Sequence, residues 1–191
     1  MKRLALVTAI LAMAAPLAMA QTSTWTSDPM HSEVDFTILH LGVSNVHGRF
    51  GHVTATITLN DADITKSSVN ASIDVTGVST GETPRDNHLK TPDFFDVASF
   101  PAATFVSTGV TRSGNKLQVA GNLTLHGVTK PVVLEVEGPT GPIPGMDKKQ
   151  HAGFSASTII KRSDFGIGGK FPSAMVGDEV KVAIELDVAK Q

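Results

Sequence analysis

From Val34 onward, apolar and polar residues alternate with a period of two, and no long helix-period segment intervenes. Val34, Phe36 and Ile38 alternate with Asp35 and Thr37, while Val53, Ala55, Ile57 and Leu59 alternate with Thr54, Thr56 and Thr58. The pattern then places Val69, Ala71, Ile73 and Val75 on one face, Leu117, Val119, Leu123 and Leu125 around Gly121, and Val132, Leu134 and Val136 after them. It is cleanest at the end, where Val180, Val182, Ile184, Leu186 and Val188 oppose Lys181, Glu185 and Asp187. Successive strand side chains point to opposite faces, so each stretch predicts a strand with one dry and one wet side. Asn60-Asp61, Ser113-Gly114-Asn115 and the Gly/Pro-rich run 138–145 punctuate these stretches as turns. About eight short strands predict an all-β chain, either an antiparallel sandwich or a closed barrel with room for one elongated ligand.

Composition narrows the function. The 191 residues, 41% hydrophobic and 18% charged, suit one ordinary domain. Sixteen Lys and Arg against 18 Asp and Glu give a charge of only −2, so no basic field exists to neutralise phosphates, and nucleic acid is not an expected partner. Aromatics are 5% with no Tyr, which leaves few platforms for stacking bases or sugars. The absence of Cys removes thiol catalysis, thiolate metal ligation and disulfides together.

The first twenty residues read as an export signal. Lys2 and Arg3 form a positive start, Leu4 to Leu17 a small-residue apolar run, and Ala18-Met19-Ala20 the A-x-A form that a signal peptidase cuts. Cleavage after Ala20 leaves a mature chain of 21–191, expected in the periplasm. No later run approaches the ~18 unbroken apolar residues of a spanning helix, so stable membrane insertion is not expected. An exposed strand edge or an inserted segment offers a route to a homodimer.

One segment breaks the strand rhythm. Thr83-Pro84-Arg85-Asp86 opens with a capping residue, a Pro at the first helical position and an acid in the first turn, and Thr91-Pro92-Asp93 repeats the signal. Two short helical turns in tandem, carrying Phe94 and Phe95, predict a plug across one barrel mouth. One Phe is expected to seal the core and the other to meet the opening.

Catalytic patterns are missing. Gly42-Val43-Ser44-Asn45-Val46 lacks the last Gly of a nucleophile elbow, and Gly166-Ile167-Gly168-Gly169-Lys170 departs from a phosphate loop at Asp164 and Phe171. His31, His40, His47, His52, His88, His126 and His151 show no metal-ligand spacing, so no metal and no cofactor are expected. Glu135 with Glu137, and Glu185 with Asp187, fall among solvent-type neighbours and read as a wetted outer wall.

Four ordered blocks carry a specific resemblance. They are Trp25-x-x-Asp28-Pro29-x-His31-Ser32 with Gly48-x-Phe50; Arg85-Asp86-x-His88-Leu89-Lys90 through Phe94-Phe95-Asp96, Pro101 and Phe105; Gly121-x-Leu123-Thr124-Leu125-His126-Gly127; and Gly153-Phe154 through Arg162-Ser163-Asp164-Phe165-Gly166. Together they resemble the YceI-like, polyisoprenoid-binding family of exported bacterial proteins across residues 21–191. The departure is a Pro/Gly-rich connection at 139–150, expected on a rim. The resemblance implies a single eight-stranded, lipocalin-like antiparallel barrel with a short helical insert between mid-chain strands. It also implies a long-chain isoprenoid, a polyprenyl or quinone tail, held inside for storage or transport.

The residues are compatible with that implication. An interior of Val, Ile, Leu and Phe offers no hydrogen bonds and suits hydrocarbon. Expected ligand contacts are Phe36, Ile38, Phe50, Phe94, Phe95, Phe105 and Phe154 along the wall, with Arg85, Asn87, His88 and Arg162 for a headgroup at the mouth. The same residues also read structurally, the Phe rings as core and Arg85 with Asp86, or Arg162 with Asp164, as local pairs. Two other functions remain open at this level: an enzyme using a barrel-facing His and carboxylate on an amphiphile, and a stress-response or interaction protein whose barrel its own side chains fill.

Overall fold

The structure, a computed structural model, describes residues 21–191, and the signal peptide expected at 1–20 lies outside the described residues. Its strands are β1 (Thr22–Ser27), β2 (Glu33–His40), β3 (Ser44–Arg49), β4 (Val53–Asn60), β5 (Ser68–Asp74), β6 (Ala102–Ser113), β7 (Lys116–Leu125), β8 (Val128–Pro144), β9 (Gln150–Lys161) and β10 (Val176–Lys190). Helix α1 (Thr83–Leu89) and two 3-10 turns, Ile64–Lys66 and Arg162–Phe165, complete the described elements. All strand pairs are antiparallel, in the order β1-β4-β5-β6-β7-β8-β9-β10. β10 returns to β1 through Trp25↔Lys190, Thr26↔Ala189 and Ser27↔Val188, so eight strands close into a barrel. The β2–β3 hairpin heightens the wall. After a kink at 28–32, β2 takes over from β1 along the edge of β10, with Val34↔Ile184 and Ile38↔Val180 in register.

The predicted inward set forms the interior. Val53, Ala55, Ile57 and Leu59 are buried, and Phe105, Leu117, Val119, Val136 and Phe154 join Trp25 and Val188 in a cluster at the lower end. A second cluster at the upper end combines Phe36, Val75, Val78, Phe94, Phe95, Leu125, Phe165 and Ile167. Burial of such a side chain contributes roughly 1.5–3 kcal/mol. Two glycines make room for rings from neighbouring strands. A Cβ on Gly48 would lie 2.2 Å from the Phe36 ring, and one on Gly121 would lie 2.3 Å from the Phe105 ring. Gly48 keeps regular register, whereas Gly121 pairs with Ser107 at the edge of the β6–β7 register shift between Ser107 and Gly109.

Three local expectations change. The run 138–145 is strand rather than turn: β8 continues to Pro144 with register shifts at Glu137/Thr140 and Thr140/Ile143, and the chain reverses only where Gly145 N–H meets the Lys149 carbonyl at 2.8 Å. The cap of α1 is Glu82, without a side-chain bond, and Pro84 occupies the first turn. The second start signal yields hydrogen-bonded turns instead of a helix, with Phe94 and Asp96 N–H both donating to the Thr91 carbonyl. The insert nevertheless sits on the upper mouth. Arg49 and Ser79 exchange backbone bonds of 2.8 and 2.9 Å, laying it along the outer edge of β3.

Candidate ligand-binding tunnel and its mouth

Two chambers lie in series inside the barrel. The lower, of about 140 Å³, is lined by residues such as Ile57, Val69, Phe105, Leu134, Phe154 and Leu186. The upper, of about 120 Å³, is lined by Phe36, Ile38, Phe50, Phe94, Phe95 and Leu125 among others. By the same measure a single water needs only roughly 10–15 Å³, so neither chamber is a packing defect. Val34, Ile73, Leu123, Ile160 and Val182 line both and form the waist between them. Lower-chamber walls are aliphatic and aromatic apart from Ser67, Ser68 and Thr158, and among the described residues no buried side-chain polar atom lacks a partner. Leu117 lines the lower chamber and Leu125 the upper, a span of about 26 Å along β7 at ~3.3 Å per residue. With strands tilted about 40° from the axis, that becomes a tunnel of about 20 Å.

A third space of about 250 Å³ continues from the upper chamber to the surface, sharing Phe36, Ile38, Leu89, Phe94 and Val176 with it. Thr80, Arg85 and His88 of the insert meet His40 and Val46 of the hairpin here. Phe94 stacks on Phe171 with centroids 4.9 Å apart and planes at 11°, and His88 stands edge-on to Phe94 at 5.1 Å. His88 Nε2 lies 3.2 Å from Asp93 Oδ2, and the other Asp93 oxygen accepts from Lys170. Those bonds, the Lys170 one foremost, hold the Asp93 carboxyl below its ordinary range. Arg85 donates from Nε to Thr80 Oγ1 at 2.6 Å and from Nη2 to the Thr80 carbonyl at 3.0 Å. Asp86 turns to Thr80 and Ser79 rather than pairing with Arg85, and the Thr80 hydroxyl lowers its pKa.

The sequence-predicted residues therefore separate into groups. Phe36, Ile38, Phe50, Phe94 and Phe95 converge on the upper chamber, and Phe105 and Phe154 on the lower. Phe94 and Phe95 both seal and both line: Phe95 meets Phe50 edge-on at 5.5 Å, while Phe94 extends to the mouth. Arg85 and His88 line the mouth, but Asn87 is exposed and lines none of these three spaces.

Arg162 corrects the expectation of a headgroup cation. It is buried, and all five of its N–H donors reach backbone carbonyls: Nε to Gly177, Nη1 to Ile167 and Gly168, and Nη2 to Phe171 and Val176. No donor remains for a ligand, and Asp164 takes no part; the guanidinium instead organises the crossing from β9 to β10. Sequence reasoning missed Phe171 at the mouth and the waist residues Ile73, Leu123, Ile160 and Val182 as a set. Their inward alternation was the available signal, but membership of the narrowing depends on cross-barrel register.

A model of the YceI-like domain matches residues 25–188. The chain belongs to the YceI-like family. It is 40% identical over 156 residues to Protein YceI of Salmonella arizonae, covering 81% of each chain. Among solved structures this YceI-like barrel is similar to Burkholderia cenocepacia BcnA, with TM-score 0.76, 27% identity, and coverage of 84% of this chain and 98% of that one. It shares its fold with a polyisoprenoid binding domain from Saccharophagus degradans implicated in plant cell wall breakdown, at TM-score 0.64 and 17% identity, over 87% and 98% of the two chains.

Proposed function

We propose that this protein binds a long-chain isoprenoid lipid, a polyprenyl or quinone tail, in its barrel and stores or carries it in the periplasm after export. The observation carrying the proposal is the two-chambered apolar tunnel that opens at one end onto a polar, aromatic mouth. A tail enters, passes the waist and occupies the lower chamber; the headgroup remains beside Arg85 and His88. Five-carbon units of about 5 Å each, four zigzag bonds of ~1.5 Å, fill the 20 Å tunnel with roughly four units. At about 0.8 kcal/mol per buried CH₂, each unit contributes roughly 4 kcal/mol of gross transfer energy, enough to offset the costs of association within a few units. Binding without chemistry is supported by the walls: Arg162 is the one ionisable residue lining either chamber among those described, and its donors are all engaged.

The test is mass spectrometry of organic extracts from protein purified without detergent from the periplasm of its own host. A near-stoichiometric polyprenyl or isoprenoid quinone species is the expected result. Folded protein that yields no lipid and takes up no added prenyl lipid refutes the proposal.

A further inference from the structure

Away from the tunnel, on the outer wall, four side chains from distant parts of the sequence converge where the barrel seam closes. Asp28 and His31 lie in the kink between β1 and β2, Asp187 on β10 and His151 on β9. β10 pairs with β2 as far as Glu185 and with β1 from Val188, so Asp187 falls in the changeover. Its carbonyl accepts from Asp28 N–H at 2.8 Å and from Ser32 Oγ at 3.1 Å.

The donor atoms are already ordered. Asp28 Oδ1 accepts from Met30 N–H at 2.8 Å, and Oδ2 lies 2.9 Å from His31 Nδ1. His151 bridges two carboxylates, with Nδ1 2.6 Å from Asp187 Oδ1 and Nε2 3.1 Å from Asp147 Oδ1. One ligand atom each from Asp28, His31 and Asp187 lies within 4.8 Å of the others. Charge is the second observation. Among the described residues, imidazoles are the only cationic partners within salt-bridge distance of Asp28, Asp147 and Asp187, and no Lys or Arg pairs with any of them. Three carboxylates thus share two imidazoles, a concentration of negative charge that a cation would neutralise.

We propose that Asp28, His31 and Asp187 bind a divalent first-row transition cation such as Zn²⁺, with His151 as the positioning residue that orients Asp187. One imidazole and two carboxylates match the borderline character of that ion, which takes N and O ligands at about 2.0–2.2 Å. Ligands of one such ion stand about 3.3–3.6 Å apart, so the most separated donors must draw in by about an ångström and the Asp28–His31 bond must open slightly, which the exposed His31 ring can accommodate. A carboxylate held by a hydrogen-bonded histidine is the outer-shell arrangement that fixes metal ligands. The bound cation would tie the β1–β2 kink to β10 at the seam. The ligands stand 3 and 156 positions along from Asp28 or His31, at His31 and Asp187 respectively, so spacing along the chain gave no sign of them.

Tag-free residues 21–191 titrated with Zn²⁺ by calorimetry, and with Co²⁺ by visible absorption, test the site. The expected result is one equivalent bound with micromolar affinity, a rise in Tm on adding Zn²⁺, and at least tenfold weakening in each of His31→Gln and Asp187→Asn, with His47→Gln unchanged. His31→Gln sits at an exposed ring and keeps the barrel folded. Absence of binding below 1 mM, or binding that His31→Gln and Asp187→Asn leave intact, overturns the site without touching the lipid proposal.

Discussion

The waist offers the most discriminating perturbation of the tunnel. Val182 faces open space between the chambers, between Val180 of the upper lining and Ile184 of the lower, so Val182→Phe places a ring across the passage. Because the ring enters a void, the overpacking penalty of about 1–3 kcal/mol seen in filled cores should be small, and Tm should move little. The binding effect should be large and dependent on chain length. A four-unit tail loses the lower chamber, and displacing even one unit forfeits roughly 4 kcal/mol of gross burial, close to a thousandfold in Kd. Allowing for partial rearrangement of the tail, geranylgeranyl phosphate should bind at least ~100-fold more weakly, whereas geranyl phosphate, two units long and contained in the upper chamber, should change less than about threefold. Calorimetric titration below the micellar concentration of each ligand, with Tm as the folding control, makes the measurement. Equal weakening of both ligands, or of neither, would refute a tail that threads the waist.

Substitutions at two further positions probe the mouth and its supports. Asp86 has its pKa lowered mainly by the Thr80 hydroxyl, so its contribution is present above the ordinary value of 3.8 and lost as pH falls through the lower folded value. Amide exchange in α1, corrected for intrinsic rates, should therefore rise in acid, and Asp86→Asn should show the faster exchange already at neutral pH with no further step; unchanged protection in the variant would count against this anchor. Arg162→Met leaves up to five carbonyls without their charged donor and should lower unfolding free energy in urea by at least about 3 kcal/mol, with Arg162→Lys failing to restore it. A loss under ~1 kcal/mol would show that backbone or water replaces the guanidinium.

Which parts of the barrel were legible follows from what each strand buries. β4, β5, β7 and β10 place Val, Ile or Leu at most of their alternate positions, and their inward faces emerge from the alternation. β3 and β9 are less regular, because small residues interrupt their inward faces: Gly48 lies beneath the Phe36 ring, and Ala152 and Ala156 flank Phe154 on β9. A period-two reading weights hydrophobicity, whereas these strands are defined by the space that their neighbours fill. Gly138–Pro144 failed for a related reason, since Gly and Pro signal turns but also suit an irregular strand with shifted register. At the mouth, chemistry was legible and connectivity was not. Arg85 and Arg162 are the same residue type in similar local sequence, yet Arg85 borders solvent while Arg162 lies buried among carbonyls contributed by residues up to fifteen positions away.

The closure of β10 onto β1 also governs when the tunnel comes into being. A chain emerging from its N-terminus can pair β1 with β4 and add β5 to β9 one after another, with β2–β3 as a separate hairpin, but the wall is complete only when β10 arrives to pair with β9, β1 and β2. Until Val188 meets Ser27, the inward faces that later line the tunnel form an open, apolar trough. Contacts of such long sequence separation form slowly, and the unsealed intermediate is the species most exposed to aggregation. The proposed loading would thus belong to the finished chain: a lipid engaging the trough early would compete with the final strand for the surface that seals it.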